Sequence, residues 1–226
     1  MKLNSCPGRR INPHVTIQLP RFLALALALA LAMPWLLFLA GAGLSVRAQA
    51  QDTPRMVEGQ AFVQRLNLAG GDLRLNGTGV RAVAWFKGYV AGLYLSRPST
   101  TMAEVLAAPG PKRLQLRMLQ DVPAEEFVKA LNKGVERNTA ADEMQALRPQ
   151  MQRFAELIAA TVTVRKGDVV DLDFDPARGM LFNLNGTLRG EPLAGDALYA
   201  ALLRSFMGNR PYDGKLKAGL LRGAGN

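Results

Sequence analysis

The first fifty residues carry no acidic side chain, and this asymmetry confines whatever folds to the rest of the chain. Lys2, Arg9, Arg10 and Arg21 come first, an apolar run broken by Pro34 fills residues 22–44, and Ala48-Gln49-Ala50 follows. A basic start, an apolar middle and a small-x-small site together describe an export signal that is removed. Residues 1–50 are therefore read as a signal peptide cleaved after Ala50. Residues 51–226 are read as one domain, periplasmic or secreted. The apolar run is also long enough to cross a bilayer, for which ~20 residues suffice. An uncleaved anchor stays open as the alternative, and the membrane would then be met through this segment alone.

The leader holds five of the 28 basic residues and none of the 18 acidic ones, which leaves 23 against 18, a net +5, beyond it. No Lys/Arg cluster accompanies that mild excess, and a nucleic-acid footprint needs clustered charge; no nucleic-acid partner is expected. The single Cys, Cys6, and the single His, His14, both lie in the leader. Cleavage would remove disulfides, Cys nucleophiles, Ser-His-Asp triads and ordinary zinc sites from the chemistry on offer. Ser96, Ser99 and Ser205 are the serines beyond the leader, and none has Lys three residues on. Any site must be built from Arg, Lys, Tyr, Asp or Glu, with no metal and no cofactor expected.

Residues 61–66 and 72–76 read as short strands around Ala69-Gly70-Gly71, and Asn76-Gly77 reads as a two-residue hairpin turn. Residues 80–95 read as one strand with a bend at Gly88. Residues 112–119 alternate, Leu114, Leu116 and Met118 against Arg113, Gln115 and Arg117, which predicts a strand with water on one side. Asp121-Val122-Pro123 with Glu125-Glu126 starts a helix. Phe127, Ala130, Leu131, Gly134 and Val135 then form one apolar face. Thr139 with Asp142 resembles a capping box, and the next stripe, Met144 to Ile158, is expected to split at Pro149. Strands return at residues 168–174 and 180–184, Asn185-Gly186 turns into residues 187–189, and helices close the chain near 195–207 and 213–221. The order predicts an α+β fold with a mainly antiparallel sheet.

The run Asn76-Gly77-Thr78-Gly79-Val80-Arg81, followed by Lys87-Gly88-Tyr89-Val90-Ala91-Gly92-Leu93-Tyr94-Leu95, resembles the opening signature of the chalcone-isomerase-like superfamily, bacterial exported members included. There a Gly-x-Gly-x-Arg turn precedes a Tyr-x-x-Gly-Leu-Tyr-like strand. Asp121 to Phe127, Lys166-Gly167-Asp168, Asn185-Gly186 and the helix around residues 198–206 fit in order. The resemblance implies an open-faced β-sandwich, a large antiparallel sheet packed with helices. It also implies one of two functions: intramolecular ring closure of a chalcone, or non-catalytic binding of a fatty acid.

Through that resemblance Arg81 matches the family's arginine, and a guanidinium fork suits a carboxylate or phenolate; a solvated strand arginine is the plain alternative. Tyr89 falls where enzymes carry threonine and fatty-acid-binding members carry tyrosine, whose phenol could donate a second bond; an amphipathic core tyrosine is the alternative. Tyr94 reads as core. The enzymes' polar Tyr-x-x-Lys-x-x-x-Asn positions fall on Phe127, Ala130 and Gly134, an apolar face. The expectation is a binding domain for a small amphipathic carboxylate, with Arg81 and Tyr89 at its head group and Phe127 and Ala130 along its tail. An isomerase or lyase using Arg81 to hold an oxyanion, and an envelope structural or interaction domain, stay open. Asp171, Asp173 and Asp175 alternate but fail as a calcium loop, with Pro176 and Phe182 where glycine and glutamate belong; they read as a solvated strand face. Asn76-Gly77-Thr78 and Asn185-Gly186-Thr187 match a glycosylation acceptor, but turn chemistry accounts for both. Gly77-x-Gly79 lacks the third glycine of a dinucleotide loop.

Overall fold

The computed structural model describes residues 53–83 and 86–222. The export signal, its cleavage point and the alternative anchor lie outside the described residues. Gln51–Asn226 forms a compact unit. No helix among the described residues is long and apolar enough to cross a membrane.

The centre is a seven-stranded antiparallel sheet in the order β11-β10-β9-β6-β5-β4-β3. Its strands are β3 (Arg65–Leu68), β4 (Gly71–Val83), β5 (Phe86–Leu95), β6 (Lys112–Met118), β9 (Val169–Asp175), β10 (Gly179–Leu184) and β11 (Thr187–Leu188). A hairpin of β1 (Arg55–Val57) and β2 (Gln60–Phe62) precedes them, and β7 (Val122–Pro123) pairs with β8 (Thr163–Val164). Among the described residues there are five helices: α1 (Met102–Ala107), α2 (Ala124–Asn138), α3 (Ala141–Ala159), α4 (Ala197–Met207) and α5 (Gly214–Leu220).

Period-two patterning sorts side chains between two apolar layers. Ala91, Leu93, Leu114, Leu116 and Met118 join Phe127, Leu131, Phe154 and Phe206 in the main core between sheet and helices. Val90, Tyr94, Leu73 and Leu75 lie on the opposite face with Phe62 of β2. Tyr94 is core, as expected, although its buried hydroxyl has no hydrogen-bond partner among the described residues.

Several local expectations gave way to tertiary packing. Asn76-Gly77 is not a turn: β4 runs straight through it, with a register shift between Leu75 and Gly77. The turn reading of the first acceptor triplet falls with it. Residues 80–95 are likewise two strands, since Arg81 on β4 pairs with Tyr89 on β5. The Asn185-Gly186 turn does form, with φ of 53° and 76°, as do Ala69-Gly70 and the helix from Ala124. Pro149 does not split α3. Pro149 and Gln145, whose carbonyl loses its partner, are exposed to water, while Leu147, Met151, Phe154 and Ile158 anchor the helix on both sides of the proline. The Thr139 capping box is absent: Ala140 is the N-cap and gives no side-chain bond.

The polar face of β6 is not bathed in water. Gln115 is buried, and Arg113 is only 20% exposed. Asp171 and Asp173 are buried too, so the solvated-face reading of those aspartates is overturned. Arg113 donates to both oxygens of Asp173 at 2.6 and 2.7 Å and reaches Asp171 at 3.4 Å. Gln115 donates to Asp171 at 2.8 Å and Asn183 to Asp173 at 3.0 Å. A side-chain ladder across three strands replaces the missing water, because buried carboxylates require partners.

Candidate functional site

Arg81 and Tyr89 face each other directly across β4 and β5, so both side chains leave the same face of the sheet. Tyr89 packs against the main core, which sets that face toward the helices. The Arg81 side chain is 24% exposed. Its guanidinium donates to the carbonyl of Ala82 at 3.0 Å, lies 5.6 Å from the centroid of the Tyr212 ring and stands 3.6 Å from a carboxylate oxygen of Asp213. The Tyr89 hydroxyl makes no hydrogen bond among the described residues. Burial pushes its phenol well above the ordinary tyrosine range, with Arg81 pulling in the other direction. At neutral pH Tyr89 is therefore a neutral donor and not a base.

Backbone proximity delivers Asp213 to this spot. A Cβ on Gly77 would sit 2.3 Å from the carbonyl oxygen of Gly219, and one on Gly219 would sit 2.4 Å from that of Thr78. A Cβ on Gly79 would sit 2.7 Å from the carbonyl oxygen of Leu216. Strand β4 and helix α5 thus touch main chain to main chain, which only glycine permits. Asn76, 2% exposed, locks the contact. It donates to Leu220 at 2.8 Å and to Ser99 at 2.9 Å and accepts from the Ser99 N–H at 2.8 Å. The glycines that read as a turn are the floor of a helix seat.

Asp213 caps α5, accepting from the N–H groups of Lys215 at 2.8 Å and Leu216 at 3.1 Å, and from Ala82 on β4 at 3.3 Å. Burial pushes its carboxyl up, but these backbone donors and the charge of Arg81 outweigh it and hold Asp213 below the usual carboxylate range. The Tyr212 ring fills the space that Gly134 leaves open, since a Cβ there would lie 2.4 Å from the ring. The Tyr212 hydroxyl is buried without a hydrogen bond of normal geometry, and burial pushes this phenol up as well.

The expected site residues therefore separate. Arg81 and Tyr89 are brought together. Phe127 is buried in the main core at 6% exposure. Ala130 is exposed, and the buried stripe of α2 is Ala124, Phe127, Leu131, Gly134 and Val135. At 100° per residue Ala130 stands roughly 90° from the centre of that stripe, which corrects its placement on the apolar face. Tyr212 and Asp213 were missed. Asp213 carried a local signal, an aspartate at a helix start, but nothing local ties it to Arg81. Among the described residues no group of three acids, histidines or cysteines is placed to hold a metal.

Residues 54–222 match the family model described as chalcone isomerase-like. The fold is similar to the crystal structure of a fatty-acid binding protein from Arabidopsis thaliana, with a TM-score of 0.55 and 15% identity over 73% of this chain and 92% of that one. No curated protein matches the chain. The curled seven-stranded antiparallel sheet packed with helices is the α+β architecture of that structural neighbour. With the family model spanning nearly all of the described residues, the chain belongs to the chalcone isomerase-like family.

Proposed function

We propose that residues 51–226 form an exported, non-catalytic domain that binds a small amphipathic carboxylate, a fatty acid being the leading case. The observation that carries this reading is the cross-strand pairing of Arg81 with Tyr89 on the helix-facing side of the sheet. Arg81 meets Asp213 only at 3.6 Å, and the half-buried Tyr89 makes no side-chain hydrogen bond among the described residues. A ligand carboxylate would take the place that Asp213 holds loosely, accepting the guanidinium fork and the phenol. The Arabidopsis neighbour is a fatty-acid binding protein, and that supports the ligand class. Phe127, Ala130 and Gly134 offer no acid, base or amide, and Tyr89 stays protonated, which favours binding over turnover.

The test is titration with a fluorescent long-chain fatty acid after each variant is checked for intact folding. Losing a charged hydrogen bond is worth ~1.5–3 kcal/mol, so Arg81→Ala should weaken binding roughly ten- to a hundredfold. Arg81→Lys should recover part of it, since the fork is lost. Tyr89→Phe should lose ~0.5–1.5 kcal/mol. Asp213→Asn keeps a good helix cap and removes the competing charge, so it should tighten binding, by ~1 kcal/mol or roughly fivefold. Parent-like binding by all four variants would end the reading in favour of an envelope interaction domain. Cyclisation of a hydroxychalcone that Arg81→Ala abolishes would favour an isomerase instead. Export has its own check: protein recovered from the cell envelope should begin near Gln51, and an intact Met1 in the cytosol would refute it.

A further inference from the structure

A charged cavity of about 340 Å³ lies where the C-terminal ends of α2 and α4 meet the start of α3. Its wall brings together Arg137, Arg204 and Arg210, with Thr139, Ala140 and Gly208 between them. Arg204 is paired with Glu143 of the first turn of α3. The guanidinium groups of Arg137 and Arg210 make no ion pair or hydrogen bond among the described residues. Both side chains are exposed, and the backbone of Arg210 is held by the Asn138 side chain, which accepts from its N–H and donates to its carbonyl, both at 2.9 Å. Three guanidinium groups against one carboxylate leave the cavity with a charge of two.

Other donors here are also unspent. The Arg204 Nε and the Thr139 hydroxyl are buried without partners. The residue whose sequence pattern suggested a helix cap thus caps nothing, and α3 begins at Ala140 with no side-chain bond to its free N–H groups. Asp142, the other acid of that turn, is exposed. Like charges gathered in a concavity repel unless something of opposite sign joins them. The positive start of the nineteen-residue α3 is offset by the negative C-terminal ends of α2 and α4, so the excess positive charge comes from the guanidinium groups.

We propose that this cavity binds an oxyanion of two negative charges, the phosphate of a phosphomonoester. Two free arginine forks match its charge and geometry. The volume leaves room for a small organic substituent beyond the phosphate. None of Arg81, Tyr89 and Asp213, the residues at the proposed carboxylate clamp, lines this cavity.

The experiment is calorimetric titration of the purified protein with inorganic phosphate and with glycerol 3-phosphate at constant ionic strength. A parallel arm measures cosedimentation with vesicles carrying phosphatidate. Saturable binding is expected in at least one arm, and which arm binds identifies a soluble or a lipid source. The double variant Arg137→Gln/Arg210→Gln should weaken it at least tenfold. Arg178→Gln/Arg189→Gln removes the same charge from exposed positions elsewhere and should leave it unchanged. Fatty-acid binding should be the same in both double variants, so a failure of this site is distinguishable from a failure of the clamp. No saturation by about 10 mM, an affinity too weak to be worth more than ~3 kcal/mol, would overturn the proposal. So would an equal loss in the two double variants, which would show unspecific attraction to net charge.

Discussion

Replacing Arg113 with methionine is expected to destabilise the domain by about 3–5 kcal/mol, the usual consequence of leaving buried charges without their partner. Among the described residues Arg113 is the one cation that reaches both Asp171 and Asp173, at 3.4 and 2.6 Å, and Asp173 is 1% exposed. Methionine fills much of the volume but satisfies neither carboxylate. Urea unfolding gives the measurement, and a loss under ~1 kcal/mol would mean that water reaches the ladder after all. Adding Asp171→Leu and Asp173→Leu should restore only part of the loss, because the unpaired carboxylates are gone but the amides of Gln115 and Asn183 lose their acceptors. Acidity gives an independent check. Burial pushes the Asp173 carboxyl above its ordinary value, and Arg113 pulls it down only in part. A carboxyl raised in the folded state binds its proton more tightly there than in the unfolded chain. Its contribution to stability is therefore largest in acid and falls as pH rises from the ordinary aspartate value through the raised one. Without Arg113 that rise should grow, so the deficit of Arg113→Met should shrink as the medium is acidified through that window.

Gly77→Ala is expected to destabilise the domain by about 3 kcal/mol, the upper end for overpacking. The added carbon would lie 2.3 Å from the carbonyl oxygen of Gly219 and 2.6 Å from that of Leu220. Both obstacles are main chain, so no rotamer change relieves the clash, and α5 must lift from β4. That movement would stretch the bond from Asn76 to Leu220 and carry Asp213 away from Arg81. The variant should therefore lose thermal stability and show altered fatty-acid affinity together. Gly214→Ala, in the first turn of the same helix with no atom within 4 Å of the added carbon, is the control. It should be neutral or slightly stabilising, as Ala exceeds Gly in helix propensity by up to ~1 kcal/mol. An equal response from the two variants would show that the strand–helix seat is not what makes Gly77 necessary.

What the sequence determined by itself is what depends on neighbours along the chain. The stripe of Phe127, Leu131, Gly134 and Val135, the alternation of Leu114, Leu116 and Met118, and the Asn185-Gly186 turn all follow from local periodicity and local dihedral preference. The α+β class and the family followed from the order of such pieces and from the motif around Arg81 and Tyr89. The local reading failed at several residues that answer to a partner far along the chain. Asn76-Gly77 has the chemistry of a turn, yet Asn76 spends its amide on Leu220, 144 positions away, and Gly77 admits the backbone of α5. Asp171 and Asp173 alternate as a solvated face would, yet Arg113 and Gln115 cover them from the next strand. Pro149 stays inside α3 because core contacts on both sides outweigh one missing hydrogen bond at the surface. The same reason decides the site. Motif could pair Arg81 with Tyr89, but Asp213 lies 131 positions from the Ala82 N–H that binds it. Only the packing of α5 on β4 puts that carboxylate beside the guanidinium, because close approach of two backbones is a property of three-dimensional contact and leaves no periodicity to read.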